Sequence, residues 1–212
     1  MHNRTLLKVT VFAIAFAFVE SAVVTYLRAI YYPGGFAFPL KMLGTSHVLV
    51  ELAREFATIV MLAVVGTLAG TTRWQKFSYF LIAFGVWDIF YYVWLKVILN
   101  WPATLFDWDI LFLIPLPWIG PVVAPVLVSI IMIAGGIMII RMEERQQDFH
   151  PPKLAWWISG LASCAILYTF MRDTAATLHS QVPQPYLYGL FVPAIVLYLV
   201  SMFLAFRTHS SR

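Results

Sequence analysis

Six apolar stretches, at residues 9–27, 48–69, 77–99, 118–140, 154–170 and 187–206, occupy most of this 212-residue chain. About 20 consecutive apolar residues in a helix cross a hydrocarbon core of about 30 Å. Lipid offers no partner to a backbone N–H or C=O, so a stretch of this kind crosses as a helix that satisfies itself. The sequence therefore predicts an all-α, polytopic integral membrane protein with six spans, forming a single transmembrane domain over residues 1–212. Composition agrees: 61% of residues are hydrophobic and 11% charged, where soluble domains carry about 25% charged residues. The stretch at 154–170 is the shortest and needs slight bilayer thinning or snorkelling at its ends.

Basic residues set the expected orientation. Arg4, Lys8, Arg73, Lys76, Arg141, Arg145, Lys153, Arg207 and Arg212 gather at one set of helix ends. Only Arg28, Lys41, Lys96 and Arg172 stand at the other, and Arg54 falls inside a span. The positive-inside rule then puts both termini in the cytoplasm and turns the loops at 31–46, 100–117 and 173–185 outward. The expected location is a plasma membrane of the bacterial inner-membrane kind. The isoelectric point near 9.3 arises from these scattered charges, so membrane lipid, not nucleic acid, is the expected partner. Arg4 and Lys8 followed by an apolar run and the Ala15–Phe16–Ala17 triplet resemble a cleavable leader. The apolar run resumes after the single Glu20, which favours an uncleaved first helix. Cys164 is the one cysteine, which excludes an intrachain disulfide or a CxxC pair.

The segment at 101–121, WPATLFDWDILFLIPLPWIGP, is apolar, broken by Pro115, Pro117 and Pro121, and too short to span. It is expected to form an interfacial or re-entrant half-helix near 101–117, N-capped by Thr104 or Asp107, and to act as a lid.

The second stretch opens HVLVELAREFATIVML, with charge where lipid should be. On a helix, His47, Glu51, Arg54, Glu55 and Thr58 share one face. The third stretch repeats the arrangement with Asp88, Tyr91, Tyr92 and Lys96 in GVWDIFYYVWLK, and the first contributes Glu20 and, two turns further on, Arg28. A central Asp, Lys or Arg costs about 2.5–3.5 kcal/mol on insertion. The first three helices should therefore meet around a polar pocket in the outer half of the membrane. The later helices offer Ser129, Ser159, Ser163, Tyr168, Tyr198, Ser201 and Gly135–Gly136, and read as scaffold, with Arg172 and Asp173 at their outer ends.

Intramembrane ionisable residues are functional candidates. Glu20, Glu55 and Asp88 are the candidate acid–base groups, joined by Asp109 if the lid folds it onto the same pocket. His47, Glu51, Arg54, Arg28, Tyr91, Tyr92, Lys96 and Trp87 are the candidate binding residues. The bland alternative makes Arg54 with Glu51 and Glu55 an ion-pair network that orders the bundle, and the aromatics interfacial anchors. His47, Glu51 and Glu55 align three metal donors on one face, which Glu20 and Asp88 would complete. Arg54 among them opposes a cation, and no second intramembrane histidine is present.

Walker A, GxSxG and HExxH sequences are absent, as are the paired Gly/Pro-interrupted spans of many secondary transporters. Three functions follow. The first is an acid–base enzyme acting on a lipid or isoprenoid-like substrate in an aromatic-lined pocket open to the outside. The second is a proton-coupled small-solute carrier or a substrate-binding transporter component, docking a partner through Ala13 and Ala17. The third is an accessory subunit of a membrane complex, or a homo-oligomer, whose charges are structural. The enzyme leads, because the third leaves Asp88 unexplained and the second lacks transporter architecture.

Overall fold

The computed structural model describes residues 2–40, 44–145 and 149–207. Its elements run α1 (His2–Tyr31), α2 (Thr45–Ala69), α3 (Arg73–Leu99), β1 (Trp108–Phe112), β2 (Trp118–Pro121), α4 (Val123–Glu144), α5 (Lys153–Met171), α6 (Thr174–Leu178) and α7 (Tyr188–Arg207). Five helices are long and apolar enough to cross a membrane: α1, α3, α4, α5 continued through α6, and α7. Helix α2 is not among the five, although it is 25 residues long; its N-terminal half carries Glu51, Arg54 and Glu55. Leu68, Val97 and Trp157 are at least 70% exposed, an outward apolar surface suited to lipid and costly in water.

Helix α3 is the centre of the bundle and packs against α1, α2 and α4. Tyr79, Ile82 and Ala83 on α3 are fully buried with Leu62 of α2 and Ala13 and Ala17 of α1. The small-residue stripe of α1 is therefore used inside the molecule and is not free to dock a partner. Glycines allow α3 and α4 to approach closely. A Cβ on Gly85 would lie 2.7 Å from the Ser129 carbonyl, and one on Gly136 would lie 2.8 Å from the Ser78 carbonyl. Helices α5 and α7 pair separately around Ile166, Phe170, Phe191 and Ala194, and join the rest through Ala124 and Trp118.

The expected half-helix is instead a β-hairpin. Strand β1 runs antiparallel to β2 with Asp109 opposite Gly120 and Ile110 opposite Ile119, and a bulge follows before Phe112 meets Trp118. The reason lies in the prolines. Ile114, Leu116 and Gly120 each precede one, and that position is sterically driven out of the helical region. Thr104 and Asp107 do not start a helix; the Asp107 carboxylate accepts the Ala103 N–H and the Thr104 hydroxyl, both at 2.7 Å, in a turn. The fourth helix accordingly starts at Val123, and residues 118–121 of the expected span are strand.

A candidate site beneath the hairpin

Helices α1, α2 and α3 and strand β1 enclose a cavity of about 240 Å³, with Thr177 and Leu178 of α6 at its edge. Ten of the twelve residues singled out from the sequence line it: Glu20, Arg28, Glu51, Arg54, Glu55, Trp87, Asp88, Tyr91, Tyr92 and Asp109. Helical periodicity brings Glu51, Arg54, Glu55 and Thr58 to one side of α2, and α3 presents Asp88 and its aromatic neighbours opposite. Ser21 ties α1 to α3 by donating to the Tyr91 carbonyl at 3.0 Å, and Trp94 Nε1 donates to the Ile14 carbonyl at 3.0 Å.

Arg54 pairs with one acid of its own helix and one from α1, and the second acid of α2 finds its partner elsewhere. Arg54 Nε and Nη2 donate to Glu51 Oε2 at 3.0 and 2.7 Å, while Nη1 pairs with Glu20 on α1. Glu20 also accepts the Thr58 hydroxyl at 3.3 Å. Glu55, one turn beyond Glu51, leaves this group and accepts the Leu113 N–H at 2.7 Å, just past β1.

Arg28 Nη2 donates to Asp109 Oδ1 at 3.0 Å. Its guanidinium carbon lies 4.2 Å from the Phe36 ring centre and 3.7 Å from that of Trp101, a geometry that adds cation–π attraction to the ion pair. Asp109 is 2% exposed. Burial pushes its carboxyl up to about 6, although the Arg28 guanidinium draws it back down. Among the described residues Asp88, like Glu55, stands outside the ion pairs, but it lacks the backbone N–H that Glu55 accepts. Asp88 Oδ2 accepts the Ser129 hydroxyl of α4 at 2.8 Å, and no cation pairs with it among the described residues.

Two candidates lie elsewhere. His47 is exposed and sets its ring edge-on to Tyr31, with centroids 6.0 Å apart. Lys96 is exposed and donates to the carbonyls of Asn100 and Pro102 at 3.3 and 2.9 Å, closing the end of α3. Eight residues beyond Asp88, it has turned about 80° around a helix of 3.6 residues per turn. The donor set of His47, Glu51 and Glu55 does not assemble, since His47 is outside the cavity and Arg54 occupies Glu51. No group of three His, Cys, Asp or Glu is placed to hold a metal ion among the described residues. Arg172 and Asp173 are also elsewhere, bound to the Gln184 side chain at 3.1 Å and its N–H at 2.5 Å. Of the charges that set the orientation, Lys41 and Arg212 lie outside the described residues.

Several contributors escaped the sequence. Ser129, the Leu113 N–H, the Phe36 and Trp101 rings on Arg28, and Thr177 reach the site from distant segments, and no local spacing announces them. The cavity as a whole holds five carboxyls, Glu20, Glu51, Glu55, Asp88 and Asp109, against two guanidiniums, Arg28 and Arg54. No protein-family model matches this chain, and neither does any curated protein or solved structure, so nothing is carried over to the cavity from a relative.

Proposed function

We propose that the chain is a six-span membrane protein, both termini cytoplasmic, that binds a small lipid-soluble substrate in the outward-facing cavity and performs acid–base chemistry on it. The α2 helix supplies the sixth span, its charges turned inward to Glu20 and the hairpin. The observation that carries this reading is the unequal partnering of the five carboxyls. Glu20 and Glu51 share Arg54, Asp109 holds Arg28, and Glu55 holds the lid backbone. Among the described residues, Asp88 has only a neutral hydroxyl. A carboxylate without a counter-ion is a base, and the same group protonated is an acid; either serves proton transfer. The tyrosines and Trp87 around it supply apolar walls, and the Arg54 triad fixes the opposite side.

The test is to purify the protein from its membrane, identify small molecules retained in it by native mass spectrometry, and incubate the retained species. The expected result is retention by wild type, weaker retention by Asp88→Asn, and conversion to a new mass only in wild type. Retention without conversion in wild type would transfer the site to a carrier or binding subunit. A protein that retains nothing and tolerates loss of Asp88 in a growth assay would return the charges to a structural role.

A further inference from the structure

The cavity has a chemical preference written in its lining. Both cations are engaged: Arg54 by Glu20 and Glu51, and Arg28 by Asp109 and two aromatic rings. Asp88 has no cation among the described residues. Asp109 is 2% exposed, and its second oxygen, Oδ2, is without a hydrogen-bond partner among the described residues, as are the neighbouring donors Arg28 Nη1 and Trp87 Nε1. Around Asp88, Trp87 stacks on Tyr91 at 6.4 Å and Tyr91 meets Tyr92 edge-on at 4.9 Å. Phe36, Phe112 and Tyr31 line the same space.

We propose that the substrate is a substituted ammonium on an apolar body, which seats its cationic nitrogen against Asp88 among the rings of α3. This rests on the reading of the cavity as a substrate site and names the class of molecule that enters it. An anion would add negative charge to five carboxyls facing two guanidiniums, and a neutral lipid would leave that imbalance as it stands. A cation reduces it, and aromatic faces attract a desolvated ammonium. The acid–base step then has a defined proton. A substrate N–H bond breaks with its electron pair left on nitrogen, and an O–H bond forms on Asp88. Ammonium and carboxylate become amine and carboxylic acid with no change in net charge, and the nitrogen lone pair is free to react. The ammonium can belong to a lipid headgroup or to a free organic amine.

The probe is benzyltrimethylammonium, compared with neopentylbenzene, which has carbon in place of nitrogen and nearly the same shape, and with the anion benzylsulfonate. Binding is measured by saturation-transfer NMR on the purified protein in uncharged dodecyl maltoside micelles, with the signal of protein-free micelles subtracted. The proposal expects the ammonium to bind wild type at least about tenfold more tightly than neopentylbenzene, with benzylsulfonate not bound. Asp88→Asn should bring the ammonium and the neutral compound within about twofold. The wild-type comparison stands even if that variant fails to fold. Addition of net-neutral phosphatidylethanolamine to the same micelles assigns the source: weaker apparent binding of the probe indicates a competing headgroup, and unchanged binding a free amine, both within the proposal. Equal binding of the ammonium and neopentylbenzene to wild type overturns the ammonium class while leaving the cavity as a substrate site. Failure of both to bind overturns the class and the site together.

Discussion

The Glu55 carboxylate of α2 accepts the Leu113 N–H of the hairpin at 2.7 Å, across 58 residues of chain. With the Arg28–Asp109 ion pair, it attaches the hairpin to two different helices, so the cover of the cavity is fixed from both α1 and α2.

Loss of the first attachment should loosen the hairpin. A hydrogen bond to a charged group contributes about 1.5–3 kcal/mol, so Glu55→Ala should speed amide exchange over residues 108–121 by about tenfold or more. Glu55→Gln, which keeps an acceptor oxygen, should give a smaller change. Hydrogen-exchange mass spectrometry reads both, and an Ala variant indistinguishable from wild type would show that the bond does not hold the lid.

Arg54 and Asp88 should separate structure from chemistry. Breaking a buried ion pair on one side typically costs about 3–5 kcal/mol, because the remaining charge loses its partner. Arg54→Met deprives both Glu20 and Glu51 and should lower the detergent Tm sharply, while adding Glu20→Gln and Glu51→Gln to it should restore much of the loss. Asp88→Asn keeps shape and its hydrogen bond with Ser129, so its Tm should stay near wild type while conversion of substrate fails. If Asp88→Asn melts as early as Arg54→Met, Asp88 is a structural group.

Asp109 gives a pH dependence with a definite sign. Burial holds its carboxyl at about 6 in the closed hairpin, with Arg28 opposing, against about 3.9 for an aspartate in water. The closed form thus binds more protons than an opened one between those values, so acidification from pH 7 to 5 favours closure and the contribution fades as pH rises through 6. Exchange of the hairpin amides, corrected for its intrinsic pH dependence, should slow over that fall in pH, and Asp109→Asn should flatten the trend. A hairpin that opens more readily at pH 5 would mean that the loss of the Arg28 ion pair governs instead.

Gly85 connects packing to the site. A Cβ there meets the Ser129 carbonyl at 2.7 Å, and the hydroxyl of that serine holds Asp88. Overpacking of this kind costs about 1–3 kcal/mol, so Gly85→Ala should lower Tm and, by displacing Ser129, impair conversion of substrate. Ser129→Ala should impair conversion with a smaller thermal effect. A Gly85→Ala protein with unaltered Tm would show that α4 can shift without cost.

Orientation is open to direct labelling. Reporters at the N-terminus, within residues 141–153 and at the C-terminus should give cytoplasmic signals, and reporters at Gly34 and Gln184 external ones. An external C-terminus would mean that α2 lies on the membrane and does not cross it.

Sequence alone determined where long helices form and which faces carry charge, because both depend on local periodicity. The stripe of Glu51, Arg54, Glu55 and Thr58 follows from 3.6 residues per turn, and the insertion penalty already directs it inward with Glu20 and Asp88. Tertiary structure decided which atoms meet. Arg54 had two acidic neighbours on its own helix but took Glu51 and Glu20, and Glu55 was left for a backbone amide 58 residues away. Asp88 found its hydroxyl on α4, 41 residues on. The apolar segment 101–121 is short enough to suit helix or strand by pattern, and pairing between Asp109 and Gly120, with prolines excluding the helix, settled it. Ion pairs and hydrogen bonds act over about 3 Å, so their partners are chosen by how segments far apart in the chain pack, and that choice carries no local signal.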